Sequence, residues 1–157
     1  MATVYRVVRE KYADRLLDTE GNQLYSGRWN PPGTGVLYTA EHPALALVEI
    51  LVHAPRVALA DLPACRLFTL DVPDDSIRRS EPNQLPGYWN DGNYGRSQYS
   101  LNDWLNEPDV LALGVPSSML PLGVNYLLHA SHPLYDPVRI THSEPLLIDA
   151  RLWPMEK

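Results

Sequence analysis

The stretch GRWNPPGTGVLYTAEHPALALVEILVH, Gly27 to His53, places a Gly- and Pro-rich turn, a short β-type run and an apolar helix in immediate succession. The density of Gly, Pro and Asn from Gly27 to Gly35 marks a loop. VLYTA, Val36 to Ala40, then reads as a strand. Pro43 suits a first helical position and Pro55 stops the chain that follows, so ALALVEILVH is predicted helical. That helix is apolar almost all round, the pattern of a buried helix. One carboxylate, Glu49, interrupts it. An ionised carboxylate is costly to bury, so Glu49 must be paired, protonated or turned to a cavity. Arg28 in the preceding turn is its nearest strong candidate partner, and Tyr38 lies on the strand between them. Arg28, Tyr38 and Glu49 therefore form the candidate chemical centre.

Outward from this stretch, TVYRVVR (residues 3–9) alternates as a first strand, and Tyr12 to Leu17 reads as a short helix or extended arm. Asp18 to Pro32 is loop-like. CRLFTLDV (65–72) is a clear strand, and Pro73 to Gln98 an irregular excursion rich in Pro, Gly and Asn. SLNDWLNE (100–107) reads as a short helix with Ser100 as its N-cap. VLALGVP (110–116), VNYLLHA (124–130), VRITHS (138–143) and PLLIDARLW (145–153) read as strands broken by turns. No internal repeat or linker interrupts the chain. The expectation is one α+β domain over 1–157, with more strand than helix.

Composition narrows the function classes. A chain of 157 residues, 45% hydrophobic and 20% charged, is ordinary for a globular domain with a core of its own. Its net charge of −6 supplies no global field toward nucleic acid or anionic lipid. With Cys65 alone there is no intrachain disulfide, which favours a reducing compartment. The N-terminus has no apolar run of signal-peptide length, and no segment approaches the roughly 20 apolar residues of a membrane span. The expectation is a soluble, cytoplasmic protein that binds neither membrane nor nucleic acid directly. The five histidines (His42, His53, His129, His132 and His142) show no HExxH spacing, so no metal site is expected. Gly33-Thr34-Gly35 precedes a strand and lacks a third glycine, so it reads as a turn and not a dinucleotide fingerprint.

The residues quoted above, followed downstream by VPSSMLPLGVNYLLHASHP (115–133), resemble the RES domain family, named for its Arg, Glu and Ser. The resemblance covers nearly the whole chain. Position by position, the family's arginine falls on Arg28, its tyrosine on Tyr38, its glutamate on Glu49, its serine on Ser117 and the nearby asparagine on Asn125. Arg6, in the first strand, matches a further arginine often found there. Where many relatives read Asn-Pro before the His-Pro turn, this chain has His129 and Ala130, a change in local shape and in one candidate substrate contact.

The resemblance implies a fold like that of ADP-ribosyltransferases of the diphtheria-toxin type. It further implies the toxin half of a toxin–antitoxin pair, with an Xre-type helix-turn-helix antitoxin as partner. NAD⁺ is the substrate it implies, with no other cofactor and with a homodimer as a common state of such toxins. Cleaving NAD⁺ at the nicotinamide–ribose bond expels a neutral group, so one carboxylate is enough, unlike ordinary glycoside hydrolysis with its pair. Glu49 fits the role of stabilising an oxocarbenium-like ribose. Arg28 and Arg6 suit the pyrophosphate, Tyr38 the flat nicotinamide, and Ser117 and Asn125 the ribose or phosphate oxygens. Hydrolysis or phosphorolysis of NAD⁺ leads, against mono-ADP-ribosyl transfer to a protein and against a non-catalytic nucleotide- or partner-binding module. Attack on RNA is disfavoured by the acidic charge balance.

Overall fold

The computed structural model describes residues 1–19, 27–92 and 97–153. Among them, seven strands form one sheet in the order β4-β5-β6-β2-β1-β3-β7. The strands are β1 (Ala2–Arg9), β2 (Val36–Ala40), β3 (Cys65–Val72), β4 (Ile77–Arg79), β5 (Ala112–Pro116), β6 (Val124–His129) and β7 (Arg139–Leu146). β4 runs parallel to β5, and every other pairing is antiparallel. Among the described residues, α1 (Pro43–Val52) and α2 (Asn102–Asn106) accompany the sheet. This is the strand-rich α+β architecture expected from the sequence.

Hydrophobic alternation along the strands sorts the core into three clusters. Val4 and Val8 of β1 pack with Leu37, Phe68, Leu70, Val72 and Leu128. Val36 of β2 belongs to a second cluster, where Leu113, Val115 and Leu127 meet Trp29, Trp89 and residues of α2. The third lies beneath α1 and joins Leu45 and Ala46 to Val7 and Ala40.

The centre of the sheet is not uniformly closed. β1 pairs with β3 through eight consecutive positions, yet with β2 its register is a single pair, Tyr5 to Ala40. β2 then pairs with β6 along its full length, placing Ala40 opposite Asn125. Asn125, Ala40 and Tyr5 thus form one row across the middle of the sheet, just where β1 and β2 part.

Several local expectations are corrected. α1 starts at Pro43, with the His42 ring accepting a hydrogen bond from Ala44 N at 3.0 Å, but it is not a buried helix. Only Leu45 and Ala46 are buried, and Val52 is 49% exposed. The helix lies on one face of the sheet, so one stripe is covered. Ser100 is not the N-cap of α2. The cap is Leu101, and the Ser100 hydroxyl instead donates to Ser97 O. The 73–98 excursion contains the short strand β4, and its residues 93–96 lie outside the described set, as do residues 20–26 of the loop expected from Asp18 to Pro32. Tyr12 to Leu17 overlaps a 3₁₀ turn over Glu10–Arg15. PLLIDARLW is mostly not a strand: β7 ends at Leu146, and a 3₁₀ turn covers Ala150–Leu152. β7 is an edge strand with little of its surface covered, so its alternation extends no further than its pairing with β3.

Candidate active site

A cleft of about 490 Å³ opens at the parting of β1 and β2. Tyr5, Arg6 and Val7 of β1, Tyr38, Thr39 and Ala40 of β2, and Ala46, Glu49 and Ile50 of α1 with His53 at its C-terminal end form most of its wall. Gly27, Arg28 and Trp29 from the turn before β2 complete it, with Ser118 and Asn125 opposite. Adjacent residues of one strand point to opposite faces. Their joint presence here follows from the parting of β1 and β2, which opens the edges of both strands to the cleft.

Arg6 occupies the gap. Its Nη1 donates to Tyr38 O at 2.6 Å, capping a carbonyl in the gap between the diverging strands. Its Nε is buried with no partner among the described residues. Burial lowers the guanidinium pKa from the ordinary arginine value, an effect opposed by Tyr135 nearby. Tyr135, whose hydroxyl donates to Leu17 O at 2.6 Å, is in turn pushed up to about 12, mainly by burial.

Glu49 is half-buried and fixed by neutral donors. Ser117 Oγ donates to Glu49 Oε1 at 2.7 Å, and Asn125 Nδ2 donates to the same oxygen at 2.9 Å. Ser117 is fully buried, and its oxygen also accepts from Met119 N at 3.1 Å and Leu120 N at 3.3 Å. The turn after β5 thereby aims the hydroxyl, and the hydroxyl aims the carboxylate. Asn125 Oδ1, like Arg6 Nε, is a buried polar atom without a partner among the described residues. A buried polar group left unpaired costs free energy, so both atoms are suited to a polar ligand in the cleft.

Tyr38 ties the Gly27–Asn30 turn to the sheet. Its hydroxyl donates to Asn30 Oδ1 and accepts from Trp29 N at 3.2 Å. Gly27 is required beside it, because a Cβ there would collide with the Tyr38 hydroxyl and come within 3.0 Å of Asn30 Oδ1. Asn30, 1% exposed, donates from Nδ2 to Thr34 O at 3.3 Å. Gly33 takes a φ of 103°, so the Gly33-Thr34-Gly35 stretch is the turn expected. Ser97 Oγ donates to Arg28 O at 2.8 Å, and Gln98 Nε2 to Gly27 O at 3.0 Å. Trp29 and Trp89 stack with ring centroids 6.0 Å apart. The Arg28 Nη1 donates to Trp89 O at 3.1 Å and Asp91 O at 2.7 Å, which holds the guanidinium at the rim.

The structure therefore brings Arg6, Arg28, Tyr38, Glu49 and Asn125 to one cleft, with Ser117 directly behind Glu49. Glu49 finds its partners on Ser117 and Asn125, where the sequence suggested Arg28. His129 stands apart from the cleft: it is 3% exposed, with Nδ1 accepting from Ser131 N at 3.2 Å. That assignment makes Nε2 the protonated nitrogen, donating to Leu105 O at 2.9 Å, while the ring meets Trp104 edge-on. Sequence reasoning missed Asn30 and His53, whereas Ser118, on chemistry alone almost as plausible as Ser117, is the serine that lines the cleft. Asn30 lies within the GRWN string, and His53 falls four residues after Glu49, at the C-terminal cap of α1.

Known proteins share this arrangement of elements. A family model described as "RES domain" matches residues 3–149. A "Toxin Res" of Pseudomonas putida is 33% identical over 143 residues, covering 90% of this chain and 94% of that protein. A "Toxin Res" of Yersinia enterocolitica is 30% identical over 130 residues, covering 82% and 84%. A "Prs ADP-ribosylating toxin" of Sphingobium sp. is 30% identical over 141 residues, covering 87% and 86%. Among solved structures, a chain of the crystal structure of the M. tuberculosis MbcT–MbcA toxin–antitoxin complex superposes with a TM-score of 0.72 at 23% identity. That match covers 92% of this chain and 84% of the other, and shows a shared fold. With a family match from β1 to beyond β7 and curated relatives alike along most of their length, this chain belongs to the RES domain family.

Proposed function

We propose that this chain is the toxin of a toxin–antitoxin pair and that it consumes NAD⁺ by breaking the bond between nicotinamide and ribose. The observation that carries this reading is the carboxylate of Glu49, fixed through Oε1 by Ser117 and Asn125 in a cleft that also holds Arg6 and Arg28. Nicotinamide leaves as a neutral molecule, so the reaction asks for no general acid. It asks for negative charge beside the ribose as positive charge develops there, held in place beforehand so that little reorganisation is needed. Glu49 supplies that charge. Its Oε2 is available for a ribose hydroxyl, and Asn125 Oδ1 is a second acceptor. Arg6 and Arg28 offer planar cationic donors to the pyrophosphate. Tyr38 presents a ring at the cleft wall for the flat nicotinamide.

Hydrolysis or phosphorolysis of NAD⁺ is the leading form of this activity. Transfer of ADP-ribose to a protein is the second, favoured by the relative called an ADP-ribosylating toxin. The partner is an antitoxin of Xre type that inhibits by covering the NAD⁺ cleft, and the toxin itself pairs as a homodimer. No described helix is long and apolar enough to cross a membrane, in keeping with action inside the cell on its NAD⁺ pool. The test is expression in growing bacteria with NAD⁺ measured alongside mass spectrometry of cell proteins. Falling NAD⁺ without modified protein supports depletion, and an added ADP-ribose on a protein supports transfer. Growth arrest with NAD⁺ and proteins both unchanged would overturn the proposal.

A further inference from the structure

We infer that His53 is the base that takes the proton from an acceptor water when NAD⁺ is hydrolysed at this cleft, an inference that rests on the function proposed above. His53, the residue that caps the C-terminus of α1, follows Glu49 by four residues, about one helical turn on. Both line the cleft. Its described titratable wall residues are Tyr5, Arg6, Arg28, Tyr38, Glu49 and His53. Of these side chains, only imidazole ordinarily changes charge between about pH 5 and 8.

A second observation concerns where the water would stand. A smaller cavity of about 40 Å³ adjoins the cleft and shares with it Ile50 and His53. Since about 10–15 Å³ is enough to hold one water, it has room for water. Its other walls include Arg9 of β1 and Cys65 of β3, so the charged and titratable groups lining the two cavities beside His53 are Tyr5, Arg6, Arg9, Arg28, Tyr38, Glu49 and Cys65. His53, itself exposed, thus lies between the cleft and an open, water-accessible pocket. Glu49 is poorly suited to be the base as well. Two donors already sit on its Oε1, and its charge is the one the ribose needs as the bond to nicotinamide breaks.

The water oxygen bonds to ribose C1′ while the bond from C1′ to the nicotinamide nitrogen breaks. The electron pair of that bond stays with nicotinamide, which departs neutral. One water proton passes to the unprotonated imidazole nitrogen and from there to solvent. NAD⁺ and water become ADP-ribose, nicotinamide and a proton.

The experiment follows nicotinamide release by the purified chain in phosphate-free buffer from about pH 5 to 8. It compares wild type, His53→Gln and His53→Ala, with Tm recorded for each. The expected result is a fall in kcat of about a hundredfold in both variants. KM for NAD⁺ and Tm stay unchanged, and the acidic limb of the wild-type kcat profile is lost. Added imidazole restores part of the His53→Ala activity. Inorganic phosphate, an acceptor whose oxyanion has no proton to shed, releases nicotinamide equally well in all three proteins. Undiminished kcat without phosphate, an effect on KM alone, or an equal loss with phosphate overturns the inference. So does wild-type release that occurs only with phosphate, although NAD⁺ cleavage itself then stands. Absence of release from wild type under every condition would instead remove the function on which the inference rests.

Discussion

Ser117 shows how one buried hydroxyl links backbone, turn and carboxylate. It accepts from two backbone amides and donates to Glu49, so its removal leaves three polar groups short of a partner. Ser117→Ala is expected to cost about 1–3 kcal/mol of stability. It should also cut kcat for NAD⁺ cleavage by about a hundredfold, because a small displacement of the reacting group has that scale of effect. A variant that loses stability and keeps full kcat would mean that Glu49 holds its position without Ser117. At His129 the effect is one of stability alone. Burial lowers its pKa, with the Leu105 carbonyl opposing and His132 adding to the shift. The folded ring therefore stays neutral at a pH where the unfolded ring, near 6.5, already binds a proton. The unfolded state gains protons first, so stability falls as pH drops below about 6.5. Thermal melts from about pH 7.5 to 5 should show a shallower decline of Tm in His129→Gln than in wild type. Equal slopes would contradict this.

At the scale of elements, the divergence of β1 from β2 makes the cleft, and the Gly27–Asn30 turn closes one side of it. The turn depends on contact between Gly27 and Tyr38, so Gly27→Ala should force them apart at a cost of about 1–3 kcal/mol. Because Arg28 is adjacent, KM for NAD⁺ should rise together with the fall in Tm. Unchanged KM and Tm in Gly27→Ala would show that the Tyr38 hydroxyl is not the anchor of this turn. Much of this region is legible in the sequence. GRWN, VLYTA and the Pro43 start each carry local signals, and a lone acid in an apolar helix states its own need for partners. The partners themselves are not legible, since Ser117 and Asn125 lie 68 and 76 residues beyond Glu49 and only strand register brings them to it. The covering of α1 misleads for a related reason. An apolar sequence states what can be buried, whereas the single sheet face beneath it determines what is. The last strand reads too long because the PLLIDARLW stretch is apolar, yet pairing with β3 ends at Leu146 opposite Cys65.

For the molecule as a whole, an acidic chain with a net charge of −6 concentrates two arginines at the cleft proposed here to take a dianionic pyrophosphate. Net charge governs approach over long distances, whereas direct contact at short range governs recognition, so the two facts do not conflict. The surrounding sheet, with clusters on both faces, keeps β1 and β2 apart without closing the gap between them. The rigid frame and the single fixed carboxylate make a definite statement about chemistry. Glu49→Gln keeps the shape of the side chain and an oxygen for Ser117 and Asn125, while removing the negative charge. Nicotinamide release from NAD⁺ by the purified chain, wild type beside Glu49→Gln, with and without phosphate, is therefore the most direct measurement. The account predicts release by wild type and its loss by two or more orders of magnitude in the variant, at unchanged Tm. Full release by Glu49→Gln would contradict it.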